Sequence, residues 1–209
     1  MSDLRTQLIA TAQAMQPAGL NRGTAGNISV RSGEGFYITP TGMAYPTLHA
    51  NDIPLMTLDG THQGPRKPSS EWRFHRDLYA SRPEVGAVLH AHSPFAVSLA
   101  CLRTTIPPFH YMIARFGGDT IRCADYAIFG SESLSTAALA ALQGRKGCLL
   151  ANHGLLVAGR DLDEALALAI ELEELCEQYW RACQLGQPVL LSSEEMNAVL
   201  KKFASYGQQ

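Results

Sequence analysis

Long apolar runs, paired cysteines and blocks of like charge are all missing from this chain of 209 residues. Without ~18 consecutive apolar residues, no helix is expected to span a bilayer. Residues 1–13 include Asp3 and Arg5 and no long apolar core, so they do not read as a signal peptide. The five cysteines (Cys101, Cys123, Cys148, Cys176 and Cys183) are odd in number, scattered and never in C-x-x-C spacing. That argues against a disulfide framework and a thiolate zinc site. Buried, reduced thiols are expected instead, and with them a cytoplasmic protein. Charged residues make up only 17% and the net charge is −2, which leaves no footprint for nucleic acid and no polybasic membrane patch. The P-loop spacing and the dinucleotide glycine fingerprint are absent too, so a nucleotide ligand is not indicated. No repeat, low-complexity tract or linker divides the chain, and one domain over residues 1–209 is expected.

The hydrophobic content of 46% is ample for a core without staples, since a chain of this size buries roughly 70% of its unfolded surface. Leu4, Leu8, Ile9, Ala12 and Met15 recur at helical spacing behind Ser2 and Asp3, which can cap a first helix ending near 17–19. Strands are expected at 28–31 and 36–38, joined by a turn, and again at 52–58. Pro68-Ser69-Ser70-Glu71 reads as a serine-capped helix start, with Glu71 in the first turn where the dipole favours a carboxylate. Further strands are expected at 85–92, 148–151 and 155–158. Helices should start at Ser93-Pro94, cover 131–142 and 161–185, and run from a Ser192/Glu195 capping box to about 206–207. Strands and helices mix without strict β-α-β alternation. The expected fold class is α/β of an α+β kind: a central, mainly antiparallel sheet with helices on both faces.

His90-Ala91-His92 ends an apolar strand. Strand side chains alternate, so positions two apart face the same way and both imidazoles can reach one ion. An H-x-H pair alone is as readily two satisfied core histidines. His153 lies in a tight turn flanked by Leu149, Leu150, Leu155 and Leu156, which sets that turn against the core. With Glu71, these three histidines would fill a tetrahedral shell, and a carboxylate that can leave would open a position for substrate. His49, His62, His75 and His110 have no paired spacing and read as surface or structural. Three hydroxyl- and glycine-rich spots suggest anion binding: Gly26-Asn27 with Ser29, Thr41-Gly42, and Ser69-Ser70. Each alone is an ordinary turn; the last adjoins Glu71, which would set an anion close to the ion.

Taken in order, Gly23-Thr24-Ala25-Gly26-Asn27-Ile28-Ser29, Ile38-Thr39-Pro40-Thr41-Gly42, Pro68-Ser69-Ser70-Glu71-Trp72-Arg73-Phe74-His75, His90-Ala91-His92 and Asn152-His153-Gly154-Leu155 resemble the motif series of the class II aldolase/adducin family. The likeness continues through Ile106-Pro107, His110-Tyr111-Met112-Ile113 and residues 126–130 to 203–207, nearly the whole chain. It implies a zinc ion (cobalt or manganese being possible) held by Glu71, His90, His92 and His153. It also implies a homotetramer with active sites between subunits, and a substrate phosphate bound by Gly26, Asn27, Thr41, Gly42, Ser69 and Ser70. Tyr111 matches a catalytic tyrosine that enters from the adjacent subunit, and Phe129 and Tyr206 match residues on the aldehyde side. The implied reaction is cleavage of a ketose 1-phosphate to dihydroxyacetone phosphate and an aldehyde, with no Schiff base on Lys67, Lys146, Lys201 or Lys202. L-fuculose 1-phosphate is the first expectation, and 5-methylthioribulose, 5-deoxyribulose or L-rhamnulose 1-phosphate the alternatives. Family relatives that are epimerases carry aspartate where Glu71 stands; a dehydratase, a decarboxylase or a non-catalytic adducin-like head are the more distant options.

Overall fold

The apolar stretches pair edge to edge. In a computed structural model, which describes residues 3–205, eight strands form one sheet in the order β4-β3-β2-β1-β5-β8-β7-β6. They are β1 (Asn27–Ser32), β2 (Gly35–Ile38), β3 (Leu55–Thr57), β4 (His62–Gln63), β5 (Ala87–Ala91), β6 (Cys123–Ala124), β7 (Gly147–Leu150) and β8 (Gly154–Gly159). Each neighbouring pair is antiparallel except β6–β7. The mainly antiparallel sheet read from the sequence is therefore present.

Alternation along the central strands sorts side chains into two cores. Ile28, Val30, Ala87, Leu89, Leu155 and Val157 pack under α1 (Leu4–Met15), α3 (Pro94–Ala100) and α5 (Leu162–Leu185). Phe36, Ile38, Val88, Cys148, Leu150 and Leu156 pack under α2 (Trp72–Ser81) and α4 (Glu132–Ala141). By the same period of two, Asn27, Ser29 and His90 face the α2 side. Burying apolar area on both faces stabilises the layers at about 25 cal/mol per Å², and it fixes the register, because a one-residue slip would turn every side chain over.

Local chemistry sets the element ends. Ser131 accepts from the Leu134 N–H at 3.1 Å and Asp161 from Glu164 at 2.8 Å, starting α4 and α5. Ser192 and Glu195 form the reciprocal capping pair, at 3.2 and 2.7 Å, ahead of α6 (Ser193–Ser205). Its expected end at 206–207 lies outside the described residues. Three other helix starts lack a side-chain cap from the residue before them, two of them against expectation. Asp3 stands at the N-cap of α1 but makes no capping bond and pairs with Arg5 instead, while Ser2 lies outside the described residues. The N-cap of α2 is Glu71 rather than a serine, and it too makes no capping bond. Ser93 precedes α3, yet its hydroxyl donates to Glu173 of α5 at 2.6 Å. Glu173 in turn accepts from the Phe95 and Ala96 N–H groups at 2.8 Å, so a distant carboxylate caps the helix that follows His92.

The strand expected over 52–58 is shorter. Residues 50–52 turn as a 3-10 segment, closed by the His49 N–H on the Asp52 carboxylate at 3.1 Å, and pairing is confined to β3. The two-residue strands β4 and β6 and the 3-10 segment Tyr111–Phe116 carry too few residues for a periodic signal. Cys148 and Cys176 are buried as expected, whereas Cys101, at the C-cap of α3, and Cys183 are exposed. Among the described residues, no helix is long and apolar enough to cross a membrane.

Candidate metal centre and substrate cleft

Four ligand-type side chains meet where the central strands end. His90 is in β5 and His92 one residue past it; His153 sits in the turn between β7 and β8, and Glu71 precedes α2. One ligand atom from each lies within 4.8 Å of all the others. The His90 and His92 Nε2 atoms are 2.9 Å apart. Glu71 Oε2 is 3.3 Å from His90 Nε2, and Oε1 is 3.3 Å from His153 Nε2. The three rings stand edge-on to one another, with centroids 4.7 to 4.9 Å apart.

The backbone makes this convergence possible at two places. Gly26 has φ +77°, and a Cβ there would lie 2.7 Å from the His90 carbonyl and 2.5 Å from the Asn21 side chain. At Gly154 a Cβ would meet the Ala91 carbonyl at 2.3 Å. Asn152, beside His153, holds φ 54° without being glycine, a conformation that asparagine tolerates better than most residues.

Does this donor set fit a cation? His90 Nδ1 lies 2.8 Å from the Leu155 carbonyl and must donate to it, which leaves the Nε2 lone pair aimed at the group. Glu71 Oε1 is buried and makes no hydrogen bond. A buried carboxylate oxygen without a donor is costly unless something positive meets it. Burial, then the neighbouring His92, pushes His90 down to about 3, and the Leu155 bond only partly opposes this. Burial, then His90, pushes His153 down to about 4, with Glu71 acting in the other direction. His92 is lowered by burial. At neutral pH the three rings are therefore uncharged and present lone pairs, the form in which imidazole ligates metals. The set fits a divalent ion.

In front of it opens a cleft of about 370 Å³. Gly26, Asn27, Thr41, Gly42, Ser69 and Ser70 line it together with Glu71, His92 and His153, so the three anion-loop segments do converge there. Ser29 does not: it is fully buried beneath the sheet's α2 face, bonded to His75 and Tyr79, and reaches no open space. Its expected part in anion binding is corrected accordingly; period-two alternation puts it behind Asn27 rather than beside it. Asn27 lines the cleft with its side chain already engaged, by Glu71 Oε2 at 2.9 Å and His75 Nε2 at 2.6 Å. Phe129 lines the outer rim with Tyr126 and Ala127. Tyr111 is 50% exposed and not among the lining residues of this subunit's cleft. Tyr206 lies outside the described residues.

Two features escaped the sequence analysis. His75 is fully buried against Asn27, and Tyr126 stands at the cleft mouth under the Arg103 guanidinium. The first had a signal: Glu71, His75 and Tyr79 repeat every four residues and Asn27 and Ser29 every two, the periods of a helix face laid on a strand face. The second lies in the 126–130 stretch of the family likeness but, in a loop, had no periodic signal to mark it.

The family model for the class II aldolase and adducin N-terminal domain matches residues 6–180. A 5-methylthioribulose-1-phosphate/5-deoxyribulose-1-phosphate aldolase of Rhodospirillum rubrum is 54% identical over 204 residues, 98% of this chain and 92% of the relative. An L-fuculose phosphate aldolase of Escherichia coli is 45% identical over 205 residues, 98% of this chain and 95% of the relative. Among solved structures, an L-fuculose 1-phosphate aldolase superposes with a TM-score of 0.94 at 38% identity, covering 98% of this chain and 97% of that one. With a Glu/His₃ group at the end of the central strands, this chain belongs to the class II aldolase/adducin family and is an aldolase, a carbon–carbon lyase.

Proposed function

We propose that the enzyme reversibly cleaves a ketose 1-phosphate to dihydroxyacetone phosphate and an aldehyde, with Glu71, His90, His92 and His153 holding a zinc ion. The observation that carries this is the convergence of four ligand-type side chains beside a cleft lined by hydroxyls and glycines. Among the described residues no lysine lines that cleft, and Lys146 is held by Glu164 at 2.8 Å, so no amine is at hand for a Schiff base. When bound, the cation supplies the Lewis acidity that makes a carbanion at C3 accessible near neutral pH. Imidazole and carboxylate also suit cobalt and manganese.

The chain's own groups do the rest. Thr41, Ser69 and Ser70 offer hydroxyls to the phosphate, and Gly26 and Gly42 let the backbone approach it closely, at the N-terminal end of α2 where the dipole favours an anion. That remote contact orients the reacting carbons, so an unphosphorylated ketose should react poorly. The Glu71 carboxylate, beside the group and at the cleft wall, moves the C3 proton. Tyr111, exposed and away from its own cleft, serves a neighbouring subunit's site by moving the proton of the C4 oxygen, which requires a homotetramer or at least a closed ring of subunits. Phe129 at the rim, with Tyr206 from the tail, shapes the aldehyde side. The five free cysteines favour the reducing cytoplasm.

Tyr126, Ala127 and Phe129 make the rim largely apolar, which suits a substrate ending in a methyl or methylthio group. The 54% identity to the Rhodospirillum rubrum relative supports 5-methylthioribulose and 5-deoxyribulose 1-phosphate ahead of L-fuculose 1-phosphate. A coupled assay for dihydroxyacetone phosphate across these sugars, before and after chelation and zinc add-back, tests both levels. Release from none of them, or full turnover by metal-free protein, would defeat the proposal.

A further inference from the structure

Behind Glu71 a line of buried polar groups runs away from the cleft into the α2 face of the sheet. Asn27 Nδ2 donates to Glu71 Oε2 at 2.9 Å, and Asn27 Oδ1 lies 2.6 Å from His75 Nε2. His75 Nδ1 lies 2.7 Å from Ser29 Oγ, which is 2.8 Å from the Tyr79 hydroxyl. None of Asn27, Ser29, His75 and Tyr79 is more than 3% exposed. The alignment is geometric: four residues of helix rise about 6 Å and two of strand about 6.7 Å, so Glu71, His75 and Tyr79 interleave with Asn27 and Ser29.

The proton positions follow from donor chemistry alone. An ionised Glu71 can only accept, so the Asn27 amide must present Nδ2 to it and Oδ1 to His75. Oδ1 can only accept, so His75 must carry its proton on Nε2. A neutral imidazole then has its lone pair on Nδ1, which accepts a hydrogen bond from the Ser29 hydroxyl, and Ser29 Oγ accepts from Tyr79. Burial keeps His75 uncharged, because it drives the ring well below its ordinary value, and the nearby His90 acts in the same direction. If the ring took the Nδ1–H form, Asn27 would flip and turn a carbonyl oxygen on the carboxylate, replacing an attraction with a repulsion inside a low-dielectric wall.

We infer that His75 is a positioning residue for Glu71: its Nε2–H tautomer fixes the Asn27 amide, and that amide holds the carboxylate aimed at the metal group and ready to move the C3 proton. The catalytic half of this rests on the proposed aldolase reaction; the tautomer and the metal affinity do not.

The test uses intact protein in two ways. Long-range nitrogen–proton NMR of histidine-labelled, metal-free protein should show His75 as the Nε2–H tautomer at neutral pH; the Nδ1–H form or a charged ring overturns the inference. His75→Gln keeps an N–H near the Nε2 position and should hold zinc affinity and C3 proton exchange within several-fold of wild type. His75→Asn, whose amide reaches only the Nδ1 position, should lose about 10- to 100-fold in zinc affinity, the range for partners that orient a ligand. Its exchange of the C3 proton of dihydroxyacetone phosphate should fall in kcat more than it rises in KM. Equal losses in the two variants would mean mere packing and overturn it. A wild-type protein that never exchanges that proton would instead sink the proposed reaction, leaving the NMR and zinc results to decide on His75.

Discussion

The inner wall of the cleft and its outer rim are built differently. Asn27, Glu71 and His90 belong to β1, the start of α2 and β5; they are at most 7% exposed and each is hydrogen-bonded to a neighbour. Tyr126, Ile128 and Phe129 stand on the loop between β6 and α4, exposed by 58, 64 and 66%. Groups that must stay within a fraction of an ångström of a cation belong on rigid elements, whereas a loop can change the shape it offers without disturbing the core. On the proposed function, reaction type would reside in the wall and substrate choice in the rim. Relatives at 54 and 45% identity that carry different substrate names but the same word, aldolase, fit that division.

The sharpest break should come from the wall. Glu71→Gln keeps the shape and an acceptor for Asn27 but removes the charge that meets a cation and takes a proton. Exchange of the C3 proton of dihydroxyacetone phosphate should fall about 10²- to 10⁴-fold, the usual worth of general acid–base catalysis. An unchanged exchange rate in a zinc-loaded variant would take Glu71 out of that role. Tyr111→Phe should lower cleavage by about 10²-fold while leaving exchange nearly intact, because in the proposed mechanism its proton goes to the C4 oxygen. If Tyr111 serves the adjacent subunit, oligomers reassembled from Tyr111→Phe and Glu71→Gln chains regain activity, since some sites then hold both intact groups. No recovery on mixing would place both residues in one chain's site.

The rim should respond more weakly and in a different currency. Phe129→Ala ought to shift the ratio of kcat/KM between 5-methylthioribulose and L-fuculose 1-phosphate by about 10-fold, since apolar pockets discriminate by only ~1–3 kcal/mol per methylene. Exchange with dihydroxyacetone phosphate, which lacks the aldehyde portion, should stay as it was. A fall in exchange equal to the change in ratio would show that the rim is coupled to the wall.

The same division explains what the sequence disclosed. His90 and His92 were legible because a period of two, on an apolar strand, can be read without knowing the partner strand. The capping pair of Ser192 and Glu195 was equally local. Glu71 was legible as a carboxylate at a helix start that could complete the histidine group, and its side chain does turn to Asn27 and the histidines; the serine cap expected beside it is absent, because Glu71 itself stands at the N-cap. Ser29 looked like an anion donor because its hydroxyl follows Gly26-Asn27, yet a spacing of two from Asn27 puts it on the same face one step deeper, under α2. His75 has no paired histidine, and its role emerges only when two elements 46 residues apart in sequence are laid against each other. Tyr126 and its neighbours occupy an irregular loop, where no periodicity exists to be read.

The smallest effect concerns the wall's stability rather than its chemistry. His75 is neutral in the fold because burial, aided by nearby His90, lowers its pKa from the ordinary 6.5. Its polar surroundings are uncharged (Asn27, Ser29 and the Tyr79 hydroxyl), with Glu71 one residue further along. In the unfolded chain the ring regains a pKa near 6.5 and binds a proton that the folded chain refuses. Below that pH the unfolded state therefore holds more protons, and stability falls as pH falls, by up to ~1.4 kcal/mol per pH unit for one such group; above it the full stability is present. His90 and His153 act in the same direction and remain in every variant compared. Urea unfolding of metal-free wild type and His75→Gln at pH 7, 6 and 5 should give converging curves, the variant losing less on acidification. Parallel curves would mean that the His75 ring protonates as easily inside the fold as outside it. The buried line behind Glu71 would then be no fixed wall, and the contrast with the rim would lose its physical basis.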